Sequence, residues 1–127
     1  MKDYKNLIVW QKAHELSLSI YKMTEKFPYE EKYGLTSQLR RSSVSVPANI
    51  SEGCGHQSKK EFVRFLQIAS GSASEMEYLI ILCKDLCYLS HEEYEKLFQI
   101  IVEVKKMLRS LIERSKPTNS KQLIANV

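Results

Sequence analysis

The chain has 127 residues, 43% of them apolar and 27% charged. That suits one soluble globular domain and argues against a disordered chain or a membrane protein. Four glycines and three prolines are too few for the tight turns of a many-stranded β fold, and a net charge of +4 is only mildly basic.

The start of the chain, MKDYKNLIVW, carries charges beside a short apolar run and has no small-residue cleavage site, so a cytoplasmic protein is expected. The three cysteines, Cys54, Cys83 and Cys87, are odd in number and follow no disulfide framework. With His56 they offer none of the usual zinc-ligand pairs, so neither metal nor cofactor is expected.

Four amphipathic helices can be read in order. In the first, Val9, Ala13, Leu16, Ile20, Met23 and Phe27 recur at alternating steps of four and three residues, and Phe27-Pro28 closes the pattern. The second runs from about Leu35 to Gly53. Leu35, Leu39, Val46 and Ile50 make one face, with Ser42 and Ser43 in the gap. Pro47 interrupts its hydrogen bonding, which leaves a kinked helix or two shorter ones; the uninterrupted apolar register favours the kink.

The third helix opens on Ser58-Lys59-Lys60-Glu61, which has the form of a capping box. Its buried stripe is Phe62, Phe65, Leu66, Ala69, Ala73, Met76, Leu79, Ile80, Cys83 and Leu86. Its small-residue middle, Ala69 to Ser74, predicts a close helix crossing. The fourth opens on a second box, Ser90-His91-Glu92-Glu93. It repeats the seam with Tyr94, Leu97, Ile101, Val104, Leu108 and Leu111, and closes at Lys116-Pro117.

Short connections make neighbouring helices antiparallel, so the expected fold is an all-α, up-down-up-down four-helix bundle over residues 1–116. Residues 117–127 are expected to form a loosely ordered tail, with Leu123, Ile124 and Val127 available for docking. Trp10 and Tyr21 on the first helix, and Phe98, Val102 and Ile112 on the fourth, form second apolar faces. They are the expected oligomer interface.

No phosphate-binding glycine loop, zincin motif or nucleophile elbow occurs. His14, His56 and His91 are scattered, and no Glu-x-x-His pair suggests a di-iron bundle. The stretch QLRRSSVSVPANISEG, Gln38 to Gly53, is too polar for a helix that only fills a core, which suggests a constraint beyond packing. Antiparallel packing of the second and third helices brings Arg40 and Arg41 near Ser72 and Glu75. A register-fixing ion pair of Arg40 or Arg41 with Glu75 is therefore expected. The other arginine, with Lys59, Lys60 and Arg64, forms a candidate phosphate-binding surface near a helix start. Lys105, Lys106 and Arg109 form a second strip. Without an interleaved aromatic ladder, such binding would follow the nucleic-acid backbone rather than its sequence.

Several runs also carry a resemblance: VWQKA (Val9–Ala13), Phe27-Pro28, YGLTSQLRRSSVSVPANISEG (Tyr33–Gly53), SKKEF (Ser58–Phe62), FLQIASGSASEME (Phe65–Glu77) and KKMLRSLI (Lys105–Ile112). Together they resemble the four-helix-bundle proteins encoded in intervening sequences of bacterial 23S rRNA genes. The match covers nearly all of residues 1–116 in order. Ser42, Ser43, Ser51 and Ala73 stand where such proteins often carry Ala or Leu. The resemblance implies a homopentameric ring and no established enzymatic activity. It extends to the accessory protein of diversity-generating retroelements, which implies RNA or DNA and a reverse transcriptase as partners. The leading expectation is a non-enzymatic oligomer that binds RNA through backbone charge; the alternative is a protein–protein adaptor.

Overall fold

The structure is a computed structural model, described over residues 3–117. Four helices and two single 3-10 turns make up the regular structure of these residues. The helices are α1 (Ile8–Thr24), α2 (Leu35–Cys54), α3 (Lys59–Asp85) and α4 (His91–Ser115). The turns, Tyr4–Asn6 and Tyr29–Glu31, precede α1 and α2. From residue 118 the expected tail lies outside the described residues.

Local chemistry sets the helix ends. The α4 start is a complete capping box: Glu93 N–H donates to Ser90 Oγ at 3.1 Å, and Ser90 N–H donates to Glu93 Oε1 at 2.9 Å. The α3 start is only half of one. Ser58 Oγ accepts from Glu61 N–H at 3.3 Å, but the Glu61 carboxylate turns to Arg64 Nε at 2.8 Å. At the α2 start, Glu31 Oε1 accepts from Leu35 N–H at 3.2 Å, while Glu31 Oε2 accepts from Tyr88 O–H at 3.0 Å. One carboxylate thus joins the α1–α2 and α3–α4 connections.

Contacts between neighbouring helices run in opposite order along the chain, so each pair is antiparallel. Lys12 meets Glu103 and Lys26 meets Glu93 across α1 and α4. Lys84 lies over the Tyr94 ring, and Lys105 meets Glu77, across α3 and α4. Between the four helices lie fully buried Leu16, Ile20, Leu39, Val46, Ile50, Leu66, Met76, Ile80, Ile101 and Leu108. Those positions belong to the stripes read from the sequence. Leu86, assigned to the α3 stripe, is 47% exposed, because the helix ends at Asp85 before that position can turn inward.

The helix α2 passes through Pro47 as one element, so two shorter helices are not formed. Proline lacks the N–H that would bond the carbonyl four residues earlier, that of Ser43. Ser17 of α1 supplies the missing donor: its Oγ lies 2.8 Å from the Ser43 oxygen and 3.1 Å from its own Ala13 carbonyl. An interior helix carbonyl thereby becomes the acceptor for a neighbouring helix.

The α2–α3 contact is polar at its centre. Ser45 and Ser72 hydroxyls meet at 2.7 Å, and Asn49 Nδ2 donates to the Ser45 carbonyl at 2.8 Å and to its Oγ at 3.0 Å. Near the end of α2 the contact leaves no room for a side chain at Gly53. A Cβ at Gly53 would lie 3.0 Å from Phe65 Cβ and 3.2 Å from Phe62 Cδ1. The buried polar residues of the Gln38–Gly53 stretch therefore answer to helix packing itself. The expectation of a further constraint survives only for its outer positions, Arg41, Val44 and Ala48.

Candidate nucleic-acid interface

The structure separates the candidate cations by what already holds them. Arg40 points toward α1: its Nε donates to Thr24 Oγ1 at 2.8 Å and its Nη2 to the Tyr21 carbonyl at 3.2 Å. The guanidinium carbon sits 4.7 Å from the Tyr21 ring centroid. Tyr21 lies in the last turn of α1, whose carbonyls lack helical donors and favour positive charge. Arg40 is thus the cap of α1.

The expected ion pair with Glu75 is not formed. Arg40 leaves α2 on the α1 side. Arg41 and Glu75 are both exposed and make no hydrogen bond or ion pair among the described residues. The Ser45–Ser72 contact shows that the helices are nevertheless antiparallel and close to the expected register. What sequence spacing leaves open is the direction of each side chain around the helix.

In the second strip, Lys105 Nζ donates to Glu77 Oε2 at 3.1 Å, a half-buried pair. Lys106 and Arg109 are exposed and border a shallow depression with Glu77, Val102 and Lys105. Arg64 pairs with Glu61 and places its guanidinium 4.5 Å from the Phe65 ring centroid. Its proximity holds the Glu61 carboxyl below the usual carboxylate range, chiefly through the Arg64 hydrogen bond. Lys59 and Lys60 are exposed, with no hydrogen bond or ion pair among the described residues.

Lys59 stands at the edge of an open cleft of about 550 Å³ at one end of the bundle, and Lys60 lies just outside it. Its walls come from three places: Cys54 at the end of α2; His56, Gln57, Ser58, Lys59 and Phe62 across the α2–α3 connection; and Arg114 and Ser115 at the end of α4. His56 stacks on Phe65, with ring centroids 5.0 Å apart. Lys59, Arg114 and His56 thus border one concave surface. The two kinds of helix end at this site have opposite preferences. The start of α3 has backbone N–H groups at Lys59 and Lys60 that suit anions. The carbonyl ends of α2 and α4 close the same end of the bundle, and carbonyl ends favour positive side chains.

Sequence reasoning missed Arg114 as a member of this group. The signal was present: in a bundle of four antiparallel helices, the end of the fourth lies beside the connection between the second and third. Of the expected interface residues, Trp10 and Phe98 are half-buried and pack against their own core, and Val102 is half-buried. Trp10 is also stacked on His14 and meets Tyr4 edge-on. Tyr21 is 45% exposed beneath Arg40.

The described residues hold no group of three His, Cys, Asp or Glu side chains placed for a metal ion. His14, His56 and His91 lie on α1, in the α2–α3 connection and at the start of α4. Cys54 and Cys83 are buried and Cys87 is exposed. Burial pushes the Cys83 thiol up to about 12. No helix among the described residues is long and apolar enough to cross a membrane.

Comparison with known proteins agrees with this fold. The family model described as 23S rRNA-intervening sequence protein matches residues 5–110. The chain belongs to that family. A solved structure of a protein with unknown function from the S23 ribosomal protein family, from Bacteroides thetaiotaomicron VPI-5482, shares 30% sequence identity. The alignment covers 84% of this chain and 96% of that one, with a TM-score of 0.77. No curated protein matches the chain. Neither the family description nor the solved relative names a reaction, so the family fixes the architecture and leaves the activity to be argued from the surface.

Proposed function

We propose that this protein is a non-enzymatic cytoplasmic oligomer that binds RNA through the phosphate backbone. The observation that carries the reading is the cleft at the bundle end, where Lys59, His56 and Arg114 converge from three segments beside the start of α3. Lys60, outside the cleft on the same first turn, extends the cationic surface, and Lys106 and Arg109 add exposed charge along α4. Arg41 is the third contribution, on the outer face of α2. Arg40 and Lys105 are removed from the set because α1 and Glu77 already engage them.

Assembly amplifies a weak charge. One chain carries +4, and the ring of five that the resemblance implies would carry about +20, with contacts adding as avidity. Backbone contacts read charge and shape rather than base sequence. The purified protein should therefore bind structured RNA at low salt, and affinity should fall steeply as salt rises. Absence of binding at low salt overturns the reading.

The second reading is a protein–protein adaptor, and a specific observation favours it: Val44, Ile68 and Tyr78 expose apolar surface on α2 and α3. A pull-down partner that binds the RNA-free protein, with no RNA affinity, would establish that reading instead. A reverse transcriptase is the partner the resemblance suggests for the test.

A further inference from the structure

The cleft at the bundle end differs from the rest of the basic surface in its shape and in having no acidic wall. We propose that it binds the terminal phosphomonoester of an RNA strand, with the end base against Phe62. This deepens the RNA reading above and rests on it: the run of the strand lies on exposed cations outside the cleft, and its end lies inside.

Charge is the first support. Among the described residues, no Asp or Glu lines the cleft. The carboxylates nearest to its cations in sequence are turned elsewhere: Glu61 meets Arg64 at 2.8 Å, and Glu113 meets Lys116 at 3.0 Å. Lys59 and Arg114, which do line it, form no ion pair among the described residues. Arg114 Nε donates to the Ser110 carbonyl at 3.3 Å. The terminal nitrogens of its guanidinium are left without an acceptor among the described residues. Two unneutralised cations at one concavity, with the His56 imidazole beside them, suit a dianion. A terminal phosphomonoester carries about −2 near neutral pH, against about −1 for a diester inside a strand.

Shape is the second support. A cleft of about 550 Å³ is in the size class of small-molecule sites, so it admits a nucleotide and not a folded RNA helix. It is walled by α2, the α2–α3 connection and α4. A strand that continues in both directions lies more easily along the flank of α4, where Lys106 and Arg109 are exposed. Half-buried Phe62 offers the cleft an aromatic wall for an unstacked base. A free mononucleotide carries the same phosphomonoester. The strand end is favoured because Lys60, just outside the cleft, continues the positive charge toward the phosphates that follow.

The test is fluorescence anisotropy on the whole chain at low salt. The probe is one short single-stranded RNA ending in a 5′-phosphate, in a 3′-phosphate, or in hydroxyls at both ends. One of the phosphorylated forms should bind roughly tenfold tighter than the hydroxyl form, the scale of one hydrogen bond to a charged group. Arg114→Gln and Lys59→Gln should each remove that preference, and Lys106→Gln should keep it. Equal binding of all three RNAs, or a preference that survives both cleft variants, overturns this inference while the RNA reading stands. Uridine monophosphate that displaces the phosphorylated RNA at that RNA's own concentration would make the ligand a mononucleotide and overturn the strand-end assignment. No binding of any of the three RNAs overturns the RNA reading and this inference together.

Discussion

At the scale of single residues, the Ser17 hydroxyl and Pro47 answer one another. Proline removes a donor from α2, and Ser17 of α1 replaces it at 2.8 Å. Replacing Ser17 by Ala leaves the buried Ser43 carbonyl without that donor, a loss of about 1–3 kcal/mol in urea unfolding. Pro47→Ala returns the helical N–H to the same carbonyl, so the two substitutions together should cost less than their sum. The coupling should reach about 0.5 kcal/mol or more. Strict additivity would mean that Ser17 does not serve the gap left by proline. Glu93 gives a second residue-scale expectation. The Lys26 hydrogen bond, then the Ser90 backbone N–H, hold its carboxyl below the usual carboxylate range. The folded chain binds that proton less readily than the unfolded one. The contribution is therefore complete above the unfolded pKa and is lost as pH falls through the depressed folded value. Glu93→Gln should lower the melting temperature near neutral pH, and the gap from wild type should close below roughly pH 4. A gap that stays constant into acid would show that the lost stability is not electrostatic.

At the scale of elements, the packing of α2 on α3 depends on a missing side chain. Gly53→Ala puts a methyl 3.0 Å from Phe65 Cβ, which has little freedom to withdraw. The expected loss is about 1–3 kcal/mol, the usual cost of overpacking a fitted contact, read from chemical denaturation. An unchanged midpoint would mean that α2 and α3 separate there at little cost. The four helices themselves were legible because an apolar stripe at helical spacing, two serine caps and a terminal proline all act locally. Ser90 gave a full capping box for that reason. Glu61 did not, because Arg64 one turn on competes for its carboxylate. The passage of α2 through Pro47 was legible only in part. Register continuity argued for one helix, but its replacement donor lies on another element, twenty-six residues away in sequence. The fate of Arg40 was hidden for the same reason. Its partners, Thr24 and Tyr21, become neighbours only once α1 and α2 pack, and helical spacing says nothing about which flank a long side chain takes.

At the scale of the whole molecule, the basic group at the bundle end was partly readable, since Lys59 and Lys60 follow a recognisable cap. Arg114 and His56 join them through topology alone. That convergence gives a sharper substitution than the first turn of α3 could. Arg64 is a poor choice, because Glu61 already neutralises it and removing it would leave that carboxylate unpaired. Lys59, Lys60 and Arg114 are exposed and form no ion pair among the described residues, so replacing all three by Gln should leave the fold intact. Electrostatic binding releases one condensed counterion for each phosphate neutralised, and for single strands the slope of log affinity against log salt is about −0.7 per contact. The triple variant should therefore bind RNA more weakly and flatten that slope by up to about 2 for each protomer engaged. Because the contacts are to phosphate, the loss should be similar for RNAs of unrelated sequence. Light scattering reads the assembly state of the variant separately, so a loss of phosphate contacts is distinguished from a loss of avidity. An unchanged affinity and slope would move the binding surface to Lys106 and Arg109 on α4. A loss confined to one RNA sequence would point instead to base recognition.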